Sequence, residues 1–148
     1  MLEHIGKLRQ IAHHCMSGQK LPDDLSLWLG TGLQRFLDQE CRSLNEALDL
    51  RTDRGGVPWW MEEAIRTRDS ALRDIARYCF PDEAKTGRAR LVQQMTLRYA
   101  ASAWRFDRER ETMPPNYRGS PKEHLWRAFR SGAAMPISER QLRNILDD

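Results

Sequence analysis

Apolar residues recur three and four positions apart along most of the chain, the period that lines one face of an α-helix. From Leu2 to Met16 the set is Leu2, Ile5, Leu8, Ile11, Ala12 and Cys15, and Gly18 supplies a stop. Leu21, Pro22, Asp23 and Asp24 open a second helix, with proline early and acids where the positive end of the helix dipole favours them. Its apolar face is Leu25, Trp28, Leu29, Leu33, Phe36 and Leu37. Gly30 and Gly32 lie inside it at a cost of about 1 kcal/mol each relative to Ala, which points to close packing there. Ser43 and Glu46 have capping-box spacing ahead of a short helix through Leu44, Ala47 and Leu48. The turn formers of Arg51 to Pro58 make the clearest break in the first half.

The period resumes from Trp59 to Cys79 through Met61, Ala64, Ile65, Leu72, Ile75, Ala76 and Cys79, with Arg66, Arg68, Asp69, Arg73, Asp74 and Arg77 on the other face. Asp69 and Arg73 are spaced for an i,i+4 ion pair. A longer helix is predicted from about Thr86 to Arg110, with Val92, Met95, Tyr99, Ala103 and Phe106 inward. Thr112 to Gly119 breaks the chain again. Ser120, Pro121 and Glu123 then satisfy three helix-start rules at once, and the helix runs through Leu125, Trp126, Ala128 and Phe129 to Gly132. Ser138 caps a last helix with Gln141 at its third position, and Ile137 can staple onto Leu142. No strand alternation or internal repeat interrupts this pattern. The predicted fold is all-α: one bundle of six to seven helices over residues 1–148, with a possible subdivision into a helical core, 1–111, and a C-terminal hairpin, 120–148.

Composition narrows the class. A 40% hydrophobic and 30% charged chain is too apolar for disorder and too charged for a membrane protein. No run approaches about 18 apolar residues, and Met1 to His4 lacks the flank of a secretory signal, so no membrane partner and a cytoplasmic location are expected. Cys15, Cys41 and Cys79, scattered beside apolar residues, read as reduced, buried thiols. Charge is uneven: residues 1–84 carry 11 Lys+Arg against 14 Asp+Glu, and residues 85–148 carry 13 against 7. A basic C-terminal part can serve a polyanionic partner, or be solvated surface.

Residues 121–146 resemble a helix-turn-helix module, on Ala128 and Gly132 four apart and on Leu142 and Ile145, whose spacing would seat the second helix on the first. The resemblance implies that the second helix enters the major groove of duplex DNA. Arg140 and Arg143 would then fork onto guanine and Gln141 and Asn144 bridge adenine, while Lys122, Arg127 and Arg130 grip phosphates. The turn from Gly132 to Ser138 is longer than that of the compact motif and contains Pro136; a plain helical hairpin with a polar outer face is the alternative. As a whole the chain resembles uncharacterised helical proteins of proteobacterial prophages and genomic islands, through Leu21–Leu29 (Leu-Pro-x-x-Leu-x-x-Trp-Leu), Ser43–Leu50 and Tyr99–Arg108. That resemblance implies a mobile-element setting, where small proteins bind DNA or block another protein.

Trp59 and Trp60 cannot both face one core, so one of them is a candidate contact with another protein or a second copy of the chain. Tyr99 and Trp104 alternate with Arg98, Arg105 and Arg108 as on single-strand-binding surfaces, but Tyr99 has the period of a buried face. His13, His14 and Cys15 point in divergent directions, with His4 more than two turns away, and no metal or other cofactor is expected. Without a phosphate-binding glycine loop, His-Glu-x-x-His or Gly-x-Ser-x-Gly, no enzyme activity is expected. A DNA-associated accessory or regulatory protein and a non-catalytic protein-interaction module are the two leading functions, and a polar pocket with a coupled acid-base pair would revive a third, an enzyme of unrecognised kind.

Overall fold

The helical period becomes helices nearly everywhere it occurs. The computed structural model describes residues 1–52, 54–136 and 138–147, and the proposed Ile137 staple lies outside them. Among the described residues there are eight α-helices and one short 3-10 turn, with no strand: α1 (Leu2–Ser17), α2 (Asp23–Leu37), α3 (Leu44–Ala47), α4 (Trp59–Cys79), α5 (Lys85–Ala101), α6 (Trp104–Asp107), the 3-10 turn Pro115–Tyr117, α7 (Pro121–Arg130) and α8 (Glu139–Asp147). None of these helices is long and apolar enough to cross a membrane. The chain forms two compact units, Met1–Trp59 and Trp60–Asp148. The division falls beside the turn formers of 51–58.

In the first unit, Gly18 ends α1 in the left-handed conformation (φ 69°), where a side chain would be strained. His4 and Lys7 of α1 lie against the Trp28 ring of α2, at 5.7 and 5.6 Å from its centre. The capping box forms with one shift: Glu46 N–H donates to Ser43 Oγ (3.2 Å), but the Glu46 carboxylate accepts from Arg42 N–H (3.1 Å). The two α2 glycines differ. A methyl at Gly32 would overlap Leu48 Cδ2 and approach the Ala47 carbonyl, whereas Gly30 faces open space. Only half of the predicted α2 face is covered. Leu25 is buried, but Leu33, Phe36 and Leu37 are exposed, because the four-residue α3 is too short to span the stripe.

The second unit holds the larger core, with Leu72 and Ile75 of α4, Val92 of α5 and Leu142 of α8 fully enclosed. Here α8 packs chiefly on α5, not on α7 where the Leu142 and Ile145 spacing was expected to seat it. Arg73 of α4 holds α8 as well. Its Nε donates to the Ile145 carbonyl in the last turn of α8 (2.8 Å), one of the acceptors a helix end leaves without an internal partner. Asp69, spaced to meet Arg73, lies against Arg68 at 2.6 Å.

The long helix predicted over 86–110 breaks at Ser102 (φ −119°, ψ −98°), whose hydroxyl donates back to the Arg98 carbonyl (2.7 Å). The break changes the helical phase of the residues beyond it. Phe106, expected inward, is 74% exposed, and Asp107 turns into the core. The cysteines also depart from expectation, Cys15 being exposed and Cys41 and Cys79 half-buried, since Cys15 sits in the last turn of α1.

Two substitutions test the glycine contrast. Gly32→Ala is expected to destabilise the first unit by about 1 to 3 kcal/mol through overpacking, and Gly30→Ala to stabilise it by about 0.5 to 1 kcal/mol. Urea denaturation followed by helical circular dichroism measures both; equal effects would show that the α2–α3 approach is not tight.

Candidate functional site

The seven side chains assigned to nucleic-acid contact fall into two groups. On α8, burial of Leu142 turns the opposite side outward, and Arg140, Gln141, Arg143 and Asn144 are all exposed. Gln141 and Asn144 also line a cleft of about 480 Å³ with Arg68 and Met135. Charge on this helix is balanced, however, since Glu139 and Asp147 offset Arg140 and Arg143 within Glu139–Asp147.

The three cations on α7 are drawn into intramolecular contacts. Arg127 donates to Asp74 Oδ2 of α4 (3.2 Å), with His124 beside both. Arg130 donates to the Arg108 carbonyl (3.2 Å) and lies over the Trp126 ring, 5.7 Å from its centre. Lys122 sits over the Tyr117 ring at 5.3 Å and is otherwise exposed. Ser120 does not cap α7 with its side chain: its hydroxyl donates to the Tyr117 carbonyl (2.7 Å), while Glu123 reaches back to accept from Gly119 N–H (2.8 Å).

Beyond the assigned residues, Arg90, Arg98, Arg105 and Arg118 are exposed and, with Lys122, Arg140 and Arg143, form no ion pair among the described residues. Many acids of the unit are engaged. Glu62, Asp69, Asp74, Asp107, Glu109 and Asp147 each lie in an ion pair with a neighbouring arginine or lysine. The positive excess of the C-terminal part is thus carried by side chains that face solvent.

Comparison with known protein families, curated proteins and solved structures gives no match to this chain. What the site can do rests on its geometry.

The most constrained polar group is one that periodicity did not single out. Asp107, 3% exposed, accepts hydrogen bonds from Tyr99 OH (2.9 Å) and Tyr117 OH (2.7 Å) on the same carboxylate oxygen, and Arg110 lies 3.5 Å from the other. Burial, reinforced by donation to the carboxylate, pushes both phenols up, Tyr117 to about 12 and Tyr99 further. Around them Tyr99, Trp104, Trp126 and Phe129 pack edge to face or tilted, with ring centres 5.1 to 6.1 Å apart. Tyr99 is therefore core, as its period implied, Trp104 is half-buried against that core, and exposed Phe106 is the aromatic beside Arg105. In sequence, Asp107 sits in a charged run, Arg105 to Glu111, that looks like solvated surface; only the Ser102 break brings it inward.

A thiol and an imidazole also share a cleft, Cys79 and His124, with Asp74 3.9 Å from His124 Nδ1 and the Tyr78 ring stacked on the imidazole at 5.5 Å. Burial pushes the Cys79 thiol up, which disfavours the thiolate that nucleophilic chemistry would need. His13 is exposed and His14 half-buried, and no group of three or more His, Cys, Asp or Glu able to hold a metal ion occurs among the described residues.

The phenol network makes a pH prediction. Tyr99 and Tyr117 hold their protons more tightly folded than unfolded, so their stabilisation is complete below the ordinary tyrosine value of 10; the Tyr117 share is lost as pH rises through about 12 and the Tyr99 share at higher pH still. Tyr117→Phe is expected to cost about 1.5 kcal/mol at neutral pH and Asp107→Ala about 3 kcal/mol, because the latter strands two buried hydroxyls. Urea denaturation at stepped pH should show a shallower alkaline loss for Tyr117→Phe than for the unchanged protein; identical slopes would remove the network from the stability of the unit.

Proposed function

We propose that the protein associates with duplex DNA as an accessory or regulatory factor, through the cationic surface of its second unit. The observation that carries this reading is the set of seven exposed cations, Arg90, Arg98, Arg105, Arg118, Lys122, Arg140 and Arg143, that no acid of the chain neutralises among the described residues. Residues 60–148 carry 17 Lys+Arg against 13 Asp+Glu, and such an excess held in solvent attracts a polyanion and releases its counterions on contact. The outward Arg140, Gln141, Arg143 and Asn144 add groups that can recognise base edges. The charge balance of α8 favours a contact spread over several elements over insertion of one basic helix. A mobile-element setting, implied by the resemblance to prophage proteins, suits such a factor.

Titration of random duplex DNA at a series of salt concentrations tests the proposal. Binding should weaken steeply with salt; on random duplex, where no preferred base is on offer, Arg140 and Arg143 meet phosphates instead, so changing both to Ala should lower the slope of log K against log salt by about 1.8, near 0.9 per lost phosphate contact. An unchanged slope removes α8 from the interface; absence of salt-dependent binding at low ionic strength removes the proposal.

A second reading, docking of another protein or of a second copy, is favoured by the apolar groups left in solvent. Leu33 (41% exposed), Phe36 (37%) and Leu37 (69%) form a stripe on α2, and Trp60 (58%) stands outward at the start of α4 beside Met61 while Trp59 is half-buried. Aromatic side chains with this exposure are the groups that dominate binding energy at interfaces. Sedimentation of the unchanged protein should then show self-association that Trp60→Ala or Leu33→Ser with Leu37→Ser weakens at least tenfold; a monomer at every concentration disfavours a second copy as the occupant.

A further inference from the structure

A cleft of about 490 Å³ opens between the end of α5, the 3-10 turn and the start of α7. Met95, Ala103, Pro121 and Leu125 give it apolar walls. Tyr99 and Tyr117 contribute to the lining as well, but both hydroxyls are already donated to Asp107 beneath. The floor is therefore fixed before any ligand arrives, and its phenols do not compete for a ligand's acceptors. This is the usual make-up of a small-molecule site: apolar walls, a pre-formed shape and a few polar groups at defined points.

The polar groups are of one electrical sign. Arg98 and Lys122 line the cleft, and among the described residues no aspartate or glutamate does. Arg98 forms no ion pair among the described residues, and the Lys122 ammonium is held over the Tyr117 ring, with no acid there to satisfy its three donors. The hydroxyl protons of Ser102 and Ser120 go to the Arg98 and Tyr117 carbonyls, so these serines offer only acceptor oxygens. Asn116 supplies an amide.

From this arrangement we infer that the cleft binds a small organic anion, a carboxylate or phosphate monoester carried on a one- or two-ring apolar body. The head group lies between Arg98 and Lys122, where it finds charge-assisted donors, and the body covers Met95, Ala103 and Leu125. An inorganic anion would leave those walls wet, and a neutral aromatic would leave both cations unmatched. The inference does not depend on duplex binding, although the terminal phosphate of a nucleic-acid strand carries the same head-group chemistry as a free metabolite.

Isothermal titration with 2-naphthoate and with its neutral isostere 2-naphthamide separates charge from burial. Saturable binding of naphthoate at least tenfold tighter than naphthamide is expected, as is a similar loss in an R98A/K122A protein whose circular dichroism is unchanged. Ala103→Leu, which narrows the cleft without removing charge, should also weaken naphthoate. Equal binding of the acid and the amide, retention of naphthoate by R98A/K122A, or no saturable binding at millimolar ligand would each overturn the inference. Displacement of bound naphthoate by a 5′-phosphorylated oligonucleotide, but not by the same strand without that phosphate, assigns the natural head group to a strand end. Failure of both strands to displace it assigns the site to a free small anion. A protein that binds naphthoate but not duplex DNA keeps this site and loses the proposed function.

Discussion

A carboxylate removed from water must find donors, and in the second unit that requirement is met by two phenols from different elements. Asp107 at the end of α6 collects Tyr99 from the last turn of α5 and Tyr117 from the 3-10 turn. An isolated buried charge would be strongly unfavourable, so the three segments are tied to one another wherever the fold is formed. The tie also sets the tyrosine-lined floor between α5 and α7, and Arg110 covers the second Asp107 oxygen from the solvent side. The local shape of the cleft therefore descends from one acid.

The last helix shows a second dependence. Its identity as a separate, projecting element would need it to rest on α7 alone; instead Leu142 enters the main core and Arg73 and Lys85 hold its final turn, the first through the Ile145 carbonyl and the second through Asp147. A helix fixed in this way presents a polar face without being free to reorient. That restriction is why the cationic surface as a whole, and not a single groove-entering rod, carries the functional reading.

Much of this was legible in the sequence because it obeys local rules. Gly18, Ser43 with Glu46, Pro121 and Ser138 with Gln141 each mark a helix end through chemistry confined to a few neighbours, and the heptad-like spacing of Leu72, Ile75 and Cys79 or of Val92 and Tyr99 announces an inner face. What was not legible depended on phase or on distance along the chain. The Ser102 break shifts every later residue by part of a turn, exchanging Phe106 for Asp107. The seat of α8 is supplied by α5 and by Arg73 of α4, some seventy residues before Ile145, which no pattern within α8 encodes. The exposed half of α2 was hidden for the opposite reason, since an apolar stripe predicts burial and says nothing about how much covering surface the chain supplies. For the candidate site, exposure of Arg140, Gln141, Arg143 and Asn144 followed from Leu142, but the capture of Arg127 and Arg130 by Asp74 and by the Arg108 carbonyl could not be read from spacing.

The chain has 20 arginines and only four lysines, and several of the arginines serve as clasps on backbone oxygens: Arg35 on Ala47, Arg68 on Ala134, Arg73 on Ile145, Arg88 on Phe80, Pro81 and Glu83, and Arg130 on Arg108. A planar fork with five donors can reach two or three carbonyls at fixed angles, which a rotating ammonium cannot do. Guanidinium chemistry here is a form of stitching as much as a source of charge. Exchanging those stitches for lysine would preserve the isoelectric point and loosen the seams.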